Sequence, residues 1–216
     1  MARGKSPTFE LQRGAILQEA ARLFADKGFH NASMAELAKA CGVSKPLLYH
    51  YYRDKEHILF DIADSYMDQL LAIVAGVEAQ DLDAEPQLAG LVMRFMEEYE
   101  HSQSQHVVLV QDVKFLQAAQ EEYVVGKQRK VVAAFADAIE RVEPGLKARN
   151  LAKPVAMILF GMINWTFTWL RADGHFTYAD MAPVVTAILL NGVRGLLKDG
   201  GGLPGATSQQ ELAASR

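Results

Sequence analysis

The sequence predicts an all-α protein in which a small N-terminal domain of three helices precedes a larger helical domain, with about nine helices in total. Three observations predict this fold class. Apolar residues recur every three or four positions along most of the chain, as on one face of a helix. Serines occupy positions that suit helix N-caps, and glycines follow predicted helix ends. No stretch of useful length alternates apolar and polar residues as a half-buried strand does.

The first three helices are predicted from their end signals. Apolar residues at helical spacing end at Lys27, and Gly28 follows as a stop. The stretch Ser33–Glu36 matches a capping box, which opens a short helix that breaks at Cys41-Gly42. Ser44 then offers a second N-cap, and a proline two residues later is tolerated because first-turn amides have no helical partner.

The rest of the chain is predicted to be helical as well. A long helix is expected from residue 54 to 77, followed by a turn over Asp81–Pro86. Further helices are expected at 87–101, 105–118, 121–142, 148–171 and 178–198. The Gly-, Ser- and Gln-rich tail over residues 200–216 is predicted to be disordered.

Charge is unevenly distributed along the chain. The net charge is -4, yet residues 1–56 hold nine lysines and arginines against six acidic residues. This pattern indicates a basic N-terminal module on an acidic body. The single cysteine, Cys41, suits a reducing compartment. The first ten residues lack the apolar stretch of a signal peptide, and the longest apolar run is too short to span a membrane, so we expect a cytoplasmic protein with no membrane partner.

Two short capped helices joined by a tight turn indicate a helix-turn-helix, whose second helix can enter the major groove of DNA. The alternative is an ordinary pair of helices in an all-helical protein. The aromatic residues that follow favour DNA, because Tyr49, His50, Tyr51 and Tyr52 cannot all be buried on one helical face. Donors suited to phosphate oxygens are supplied by Lys45, Tyr49, His50 and Lys55.

The run Gly42–Glu56, with Ile16–Gly28 and Ser33–Gly42 before it, closely resembles the DNA-binding domain of TetR-family transcriptional regulators. The resemblance covers about residues 10–60. Two positions depart from the family's pattern. Pro46 stands where the family commonly has glycine or another small residue, and Tyr52 where it usually has phenylalanine. Since Pro46 lies near the base-reading positions, we expect it to alter sequence preference.

The resemblance implies a role for each matching residue. Ser33 caps the first helix of the motif, and Tyr52 belongs to the core. Base edges face Lys45, Pro46 and Leu47, and phosphates are held by Tyr49, His50 and Lys55. With the N-cap Ser44, the predicted DNA-binding residues are Ser33, Ser44, Lys45, Pro46, Leu47, Tyr49, His50 and Lys55.

The predicted domains are a flexible basic arm over residues 1–9, the helix-turn-helix domain over 10–56 and an effector-binding and dimerisation domain over 57–199. Arg3 and Lys5 on the arm add DNA contacts or serve solubility. The resemblance implies a homodimer formed by the helices at 148–171 and 178–198, which are strongly apolar and carry small residues. The alternative is that they are internal core helices of a monomer.

The stretch Phe160–Trp169 is similar to the equivalent helix in TetR-family regulators of fatty-acid, sterol-ring and phenylacetate degradation. This similarity implies an acyl-CoA thioester as effector. The candidate effector-binding residues are Met96, Tyr99, Asp112, Phe115, Leu116, Tyr123, Asn164, Trp165 and Phe167. Each can instead be plain core, and a repressor of efflux genes that senses hydrophobic drugs stays an alternative.

An enzymatic function is a remote alternative. Glu98 and His101 match one half of a di-iron carboxylate motif, but that chemistry needs a second copy and two further glutamates. The sequence contains no glycine-rich phosphate loop and no Gly-x-Ser-x-Gly turn. We therefore predict a DNA-binding regulator without catalytic residues, metal or cofactor.

Overall fold

The computed structural model describes residues 7–171 and 173–198. This part of the chain contains nine α-helices, four short 3-10 helices and no strand, as the predicted all-α class requires. The helices are α1 Pro7–Lys27, α2 Met34–Ala40, α3 Lys45–Tyr51, α4 Lys55–Glu78, α5 Ala84–His101, α6 Gln103–Gln111, α7 Ala118–Val142, α8 Ala152–Asn164 and α9 Tyr178–Lys198. The 3-10 helices are Phe29–Asn31, Val113–Phe115, Pro144–Arg149 and Thr166–Thr168.

The predicted end signals of the first three helices are confirmed. Gly28, at φ 81°, follows the end of α1, and Gly42, at φ 63°, lies in the turn between α2 and α3. Both are in the left-handed region that glycine adopts without steric cost. Ser33 and Glu36 form the capping box of α2, and the Ser44 hydroxyl oxygen accepts a hydrogen bond from the backbone amide of Leu47 at 3.3 Å.

Several predicted helix boundaries need correction, including the starts of α7 at Ala118 and of α8 at Ala152, predicted at 121 and 148. α5 begins at Ala84, so Pro86 lies in its first turn, where its missing amide costs nothing. α6 ends at Gln111 and α8 at Asn164, well short of the predicted 118 and 171. The hydroxyl of Thr166 donates to the carbonyl oxygen of Ile163 at 2.7 Å. Such short-range bonds compete with the i→i−4 pattern, and the chain tightens into a 3-10 helix there.

The chain packs into two compact units. Among the described residues, the first unit contains those up to Ile73 together with Glu98–Lys130, and the second contains Val74–Glu97 together with those from Val131 onwards. In the first unit α6 packs along α1, and α2 packs on α3. In the second, Phe135 packs against Phe95 and Phe160, with ring centroids 4.8 and 4.9 Å apart. The boundary predicted between residues 56 and 57 concerns function and stays a prediction.

Some predictions fall outside the described residues. These are the roles of Arg3 and Lys5 and the state of the tail over 200–216. The arm predicted over residues 1–9 overlaps α1, which begins at Pro7. Among the described helices, α9 is the one whose length and composition would suffice to cross a membrane, a criterion that core helices of soluble proteins also meet.

Candidate nucleic-acid interface

The second helix of the motif, α3, turns most of its side chains outwards. Of its seven residues only Leu48 is fully buried, and it anchors the helix in the core. The predicted base-reading residues Lys45, Pro46 and Leu47 are all exposed. Tyr49 and His50 are exposed as well. An exposed leucine and tyrosine next to a lysine give this helix the mixture of apolar contacts and hydrogen-bond donors that a DNA groove accepts.

Ser33 and Ser44 act as caps in this structure. Ser33 accepts a hydrogen bond from the amide of Glu36 at 3.2 Å and donates one to the Glu36 carboxylate at 3.0 Å. That carboxylate also accepts a hydrogen bond from Lys27 at 2.8 Å. The bonds from Lys27 and then from Ser33 lower the pKa of Glu36 to about 2. The two serines therefore fix where α2 and α3 begin.

A groove of about 470 Å³ lies beside the recognition helix. It is lined by Ala32, Ser33, Met34, Ala35, Lys45, Tyr49, Arg53, Asp54, Lys55 and Glu56. Lys45 and Tyr49 reach it from α3, and the acidic pair Asp54 and Glu56 reaches it from the start of α4. A phosphate in this groove therefore meets the donors of α3 on one side and side chains of both charges on the α4 side, where Arg53 and Lys55 accompany the two carboxylates.

The start of α4 is already capped by a carboxylate. Asp54 accepts a hydrogen bond from the amide of His57 at 2.8 Å and pairs with the guanidinium of Arg53 at 2.9 Å. Backbone amides at the start of a helix favour an anion. The anion there is the side chain of Asp54.

The ammonium of Lys55 is directed at the protein itself. It donates to the carbonyl oxygens of Phe29, His30 and Ala32 at 2.9, 3.1 and 3.2 Å, and it lies 4.5 Å from the ring centroid of Phe29. The resemblance predicted a phosphate contact for Lys55, which stays a prediction. In this structure the side chain ties the start of α4 to the turn between α1 and α2.

The tyrosines at the end of α3 have different partners. Tyr51 stacks on Phe9 of α1, with ring centroids 4.5 Å apart. Tyr52 is buried, as the resemblance implied, and its hydroxyl donates to the Asp61 carboxylate at 3.0 Å. Arg13 of α1 donates to the same oxygen at 2.6 Å. Burial and then the charge of Asp61 raise the pKa of Tyr52, so the phenol stays protonated and donates.

Sequence reasoning did not single out Arg13 and Asp61 as functional residues. Their bond joins α1 to α4 across 48 positions, and the hydrogen bond to Asp61 raises the pKa of Arg13. Lys127 of α7 was also missed, because its partners are distant in the sequence. Its largely buried ammonium pairs with Asp64 and Asp68 of α4. The one available signal was the tyrosine at position 52, whose hydroxyl needs a partner when buried.

The candidate effector residues of the first unit contact different neighbours. Tyr99 is buried and stacks on His106 with 3.9 Å between ring centroids, and burial raises its pKa. Phe115 packs against His30 and Phe29, at 4.1 and 5.9 Å between centroids. Asp112 is buried, with its pKa raised by burial, and Leu116 is also buried, whereas Tyr123 is exposed.

The candidates in the second unit differ in exposure. Met96 is fully buried in α5. Asn164 and Phe167 are half-buried, and Trp165 is 59% exposed. The rings of Trp165 and Phe167 lie 5.8 Å apart. Asn164, Trp165 and Phe167 lie at the end of α8 and in the 3-10 helix after it, so the break in α8 decides where their side chains point.

α8 and α9 share an exposed apolar face, although they pack on each other. On α8 the row runs through Ile158 and Gly161 to Trp165, and on α9 through Val184 and Ile188 to Gly192. Ile158 and Ile188 are 61% and 60% exposed. The space over both glycines is open. Large apolar side chains around an open glycine form a surface that another helix can approach closely.

Comparison with known protein families divides the chain in the same way as the motifs. Residues 16–62 match the family described as "Bacterial regulatory proteins, tetR family". Residues 81–193 match the family described as "Tetracyclin repressor-like, C-terminal domain". The first match contains the capped helices and the groove beside α3, and the second contains α8 and most of α9.

Known proteins of similar length give the same result. A TetR-family transcriptional regulator from Bordetella parapertussis 12822 is 34% identical, with a TM-score of 0.80 over 85% of this chain and 96% of its own. The transcriptional repressor KstR2 of Mycobacterium tuberculosis is 25% identical over 84% of this chain and 92% of its own. AibR, solved with isovaleryl coenzyme A and operator DNA, is 24% identical, with a TM-score of 0.71 over 82% of this chain and 97% of its own, and shows the fold alone. With both family models matched and a solved relative covered almost end to end, the chain belongs to the TetR family of bacterial transcriptional regulators.

Proposed function

We propose that this protein is a homodimeric repressor that leaves a palindromic operator when an acyl-CoA thioester binds. The observation that carries the DNA-binding part is the recognition helix, which buries Leu48 alone and exposes Lys45, Pro46, Leu47, Tyr49 and His50. A helix anchored by one core residue and the N-cap Ser44 leaves these side chains free to reach a DNA groove. Such a regulator acts in the cytoplasm, where its operator is.

DNA binding is tested first with a duplex chosen by selection from a random oligonucleotide pool. Lys45→Met removes an exposed charge from the groove beside α3. If Lys45 holds a phosphate, we expect operator affinity to fall and the slope of log K against log salt to become shallower by about 0.9 per protomer. Fluorescence anisotropy measures both quantities across a range of about 50 to 200 mM salt, over which phosphate contacts change affinity strongly.

Lys130→Met is the matched control, because Lys130 is an exposed lysine on α7 outside the groove. It is expected to keep the wild-type affinity and slope. If Lys45→Met binds with the wild-type slope as well, Lys45 does not contact a phosphate. If the wild-type protein selects no sequence from the pool, the proposed function is wrong.

The dimer is proposed from the apolar face of α8 and α9. Ile158 and Ile188 are exposed on this face, and Gly161 and Gly192 leave room for close approach. A second copy related by two-fold symmetry brings the same face opposite itself and covers it. A two-fold dimer also matches a palindromic operator, since each recognition helix then meets one half-site.

The effector is proposed to be an acyl-CoA. Two things support it: the similarity of Phe160–Trp169 to the corresponding helix of acyl-CoA-responsive regulators, and the shared fold with AibR, which was solved with isovaleryl coenzyme A. Phenylacetyl-CoA and fatty acyl-CoAs are the types to test. The effector must bind the DNA-incompetent state more tightly than the competent one, because equal affinity for both states shifts nothing.

A thermal-shift screen tests the effector class. At about 100 times its Kd, a ligand that binds only the folded state adds about 2.7 kcal/mol to the free energy of unfolding. For a chain of this length that raises Tm by roughly 5–10 °C. We expect this rise with at least one acyl-CoA and not with free coenzyme A or free acids. A rise with cationic drugs and with no thioester would instead indicate a regulator of efflux genes.

The release step is proposed to act through α4. This helix starts directly after α3 and is joined to it by the bond between Tyr52 and Asp61. A small pivot of α4 therefore moves the recognition helix and changes the distance between the two recognition helices of the proposed dimer. Coupling of about 1–3 kcal/mol between effector and operator is typical. Adding the effector to the protein–operator complex should lower the anisotropy, and a rise in affinity would show an activator-type response.

A further inference from the structure

Lys127 of α7 is a lysine whose ammonium group is largely withdrawn from solvent and paired twice. Its side chain is 12% exposed, and Nζ donates to carboxylate oxygens of both Asp64 and Asp68 on α4. Burial alone would lower the pKa of Lys127, but the bonds to the two carboxylates together raise it, so the side chain stays charged. A buried charge that loses its partners is strongly unfavourable, so this lysine holds α7 against α4.

The contact extends along one seam between α7 and α4, within the first compact unit. The ring of Tyr123 lies 5.9 Å from that of Phe60, and the ammonium of Lys127 lies 5.1 Å from the Tyr123 ring centroid. Tyr123 and Lys127 are four residues apart on α7. Phe60, Asp64 and Asp68 follow one another at the same interval on α4. Each set therefore lies on one face of its helix, and the seam combines a ring contact with ion pairs.

The neighbouring turn of α4 is tied to the DNA-binding helices. Asp61 lies three residues before Asp64, about 4.5 Å along the helix axis. Its carboxylate accepts hydrogen bonds from Tyr52, which follows α3, and from Arg13 of α1. Lys127 belongs to the part of the chain that matches the C-terminal family model. Its ion pairs therefore join that domain to the helix that follows α3, one turn away from the point where α3 itself is held.

We propose that Lys127 is a positioning residue for operator recognition: by holding α4 against α7, it sets the distance between the two recognition helices and with it the half-site spacing that the protein accepts. This inference rests on the proposed DNA-binding function and the proposed dimer. A small tilt of α4 at the Lys127 contact moves α3, because α3 leads directly into α4. In a two-fold dimer both recognition helices shift, and the spacing of half-sites mirrors their separation.

The experiment measures a spacing ratio, which is the affinity for the selected operator divided by the affinity for the same operator with one base pair added between its half-sites. Lys127→Met removes the charge and keeps most of the length of the side chain. We expect this ratio to fall about fivefold, at the lower end of the couplings that pass between distant sites. Affinity for a non-specific duplex and the salt slope should stay unchanged, since no phosphate contact is lost. We also expect Tm to fall by about 3 °C.

Lys130→Met is the matched control, because Lys130 is an exposed lysine three positions further along α7. It is expected to keep the wild-type spacing ratio and Tm. Asp64→Asn tests whether Lys127 acts through its partner. It should lower the ratio by itself and add nothing when combined with Lys127→Met, since the effects of residues in contact are not additive. Two effects that simply add would show that the residues act independently and would overturn the proposal.

Other outcomes separate the proposal from its alternatives. If Lys127→Met lowers Tm while the folded variant keeps the wild-type spacing ratio, the lysine serves stability alone and the proposal is wrong. If it makes the salt slope shallower by about 0.9 per protomer, Lys127 is a phosphate contact, and the proposal is again wrong. A wild-type protein that binds both operators equally would contradict it as well. None of these results affects the DNA-binding function, which fails only if the wild-type protein selects no operator.

Discussion

Ile188→Glu is expected to convert the proposed dimer to monomers and to lower operator affinity by more than about 100-fold. Ile188 is 60% exposed on α9, in the apolar face that it shares with α8. Two-fold symmetry places two new carboxylates in one interface, and burying an unpaired charge costs several kcal/mol. A monomer reaches one half-site at a time, so it loses the second set of contacts. Analytical ultracentrifugation gives the mass, and anisotropy gives the affinity.

Val110→Glu is the matched control for this prediction. Val110, like Ile188, is an exposed β-branched apolar residue, but it lies on α6 in the first compact unit. We expect this variant to keep the mass of a dimer and to bind the operator like the wild type. A dimer that survives Ile188→Glu with full operator affinity would place the interface elsewhere on the chain.

The two tryptophans of the chain offer an independent measure of association. Trp165 and Trp169 are both more than half exposed and lie at and just beyond the end of α8. If the apolar face of α8 and α9 forms the interface, dilution below the dimer Kd should shift their emission to longer wavelength. Ile188→Glu should show the shifted emission at every concentration. Emission that does not change on dilution to monomer would mean that the tryptophans lie outside the interface.

Asp61→Ala is expected to lower the free energy of unfolding by about 2 kcal/mol and operator affinity by about tenfold. It removes the shared acceptor of Arg13 and Tyr52, which donate to the same carboxylate oxygen at 2.6 and 3.0 Å. Bonds to a charged partner contribute about 1.5–3 kcal/mol each, and the one-third exposure of the arginine reduces that. Affinity falls because α1, α3 and α4 lose the point where they meet.

Urea unfolding followed by circular dichroism measures the stability change. Asp68→Ala is the control on the same helix: its side chain is 62% exposed, and Lys127 keeps Asp64 as a partner. We expect a change of less than about 0.5 kcal/mol there. Tyr52→Phe removes only the hydroxyl and should cost about 1 kcal/mol. If Asp61→Ala is as stable as Asp68→Ala, the shared carboxylate does not join these helices.

Local sequence signals were sufficient wherever the physical cause is local. The caps of α2 and α3 depend on bonds that span three positions, from Ser33 to Glu36 and from Ser44 to Leu47, and both were predicted and are confirmed. The same holds for the glycines that end α1 and α2. The resemblance to the TetR family rests on these positions, and the family is confirmed.

Local patterns failed where a helix ends for reasons other than glycine or proline. The apolar pattern continues beyond Asn164, yet the Thr166 and Thr168 hydroxyls bond to carbonyls three residues earlier and α8 ends. The predicted helix to residue 171 is therefore wrong. Periodicity records which residues are apolar and does not record which hydroxyl competes for a carbonyl.

The sequence by itself determined the helical fold class, the capped recognition helix, the family and thereby the kind of function. The tertiary structure decided which side chains are free to act. It committed Lys55 to three carbonyls some 25 positions away, stacked Tyr51 on Phe9 and joined Tyr52 to Asp61 and Arg13. The reason is physical: a cap is fixed by neighbours three or four residues away, whereas the partner of a long polar side chain depends on which distant segment packing brings beside it.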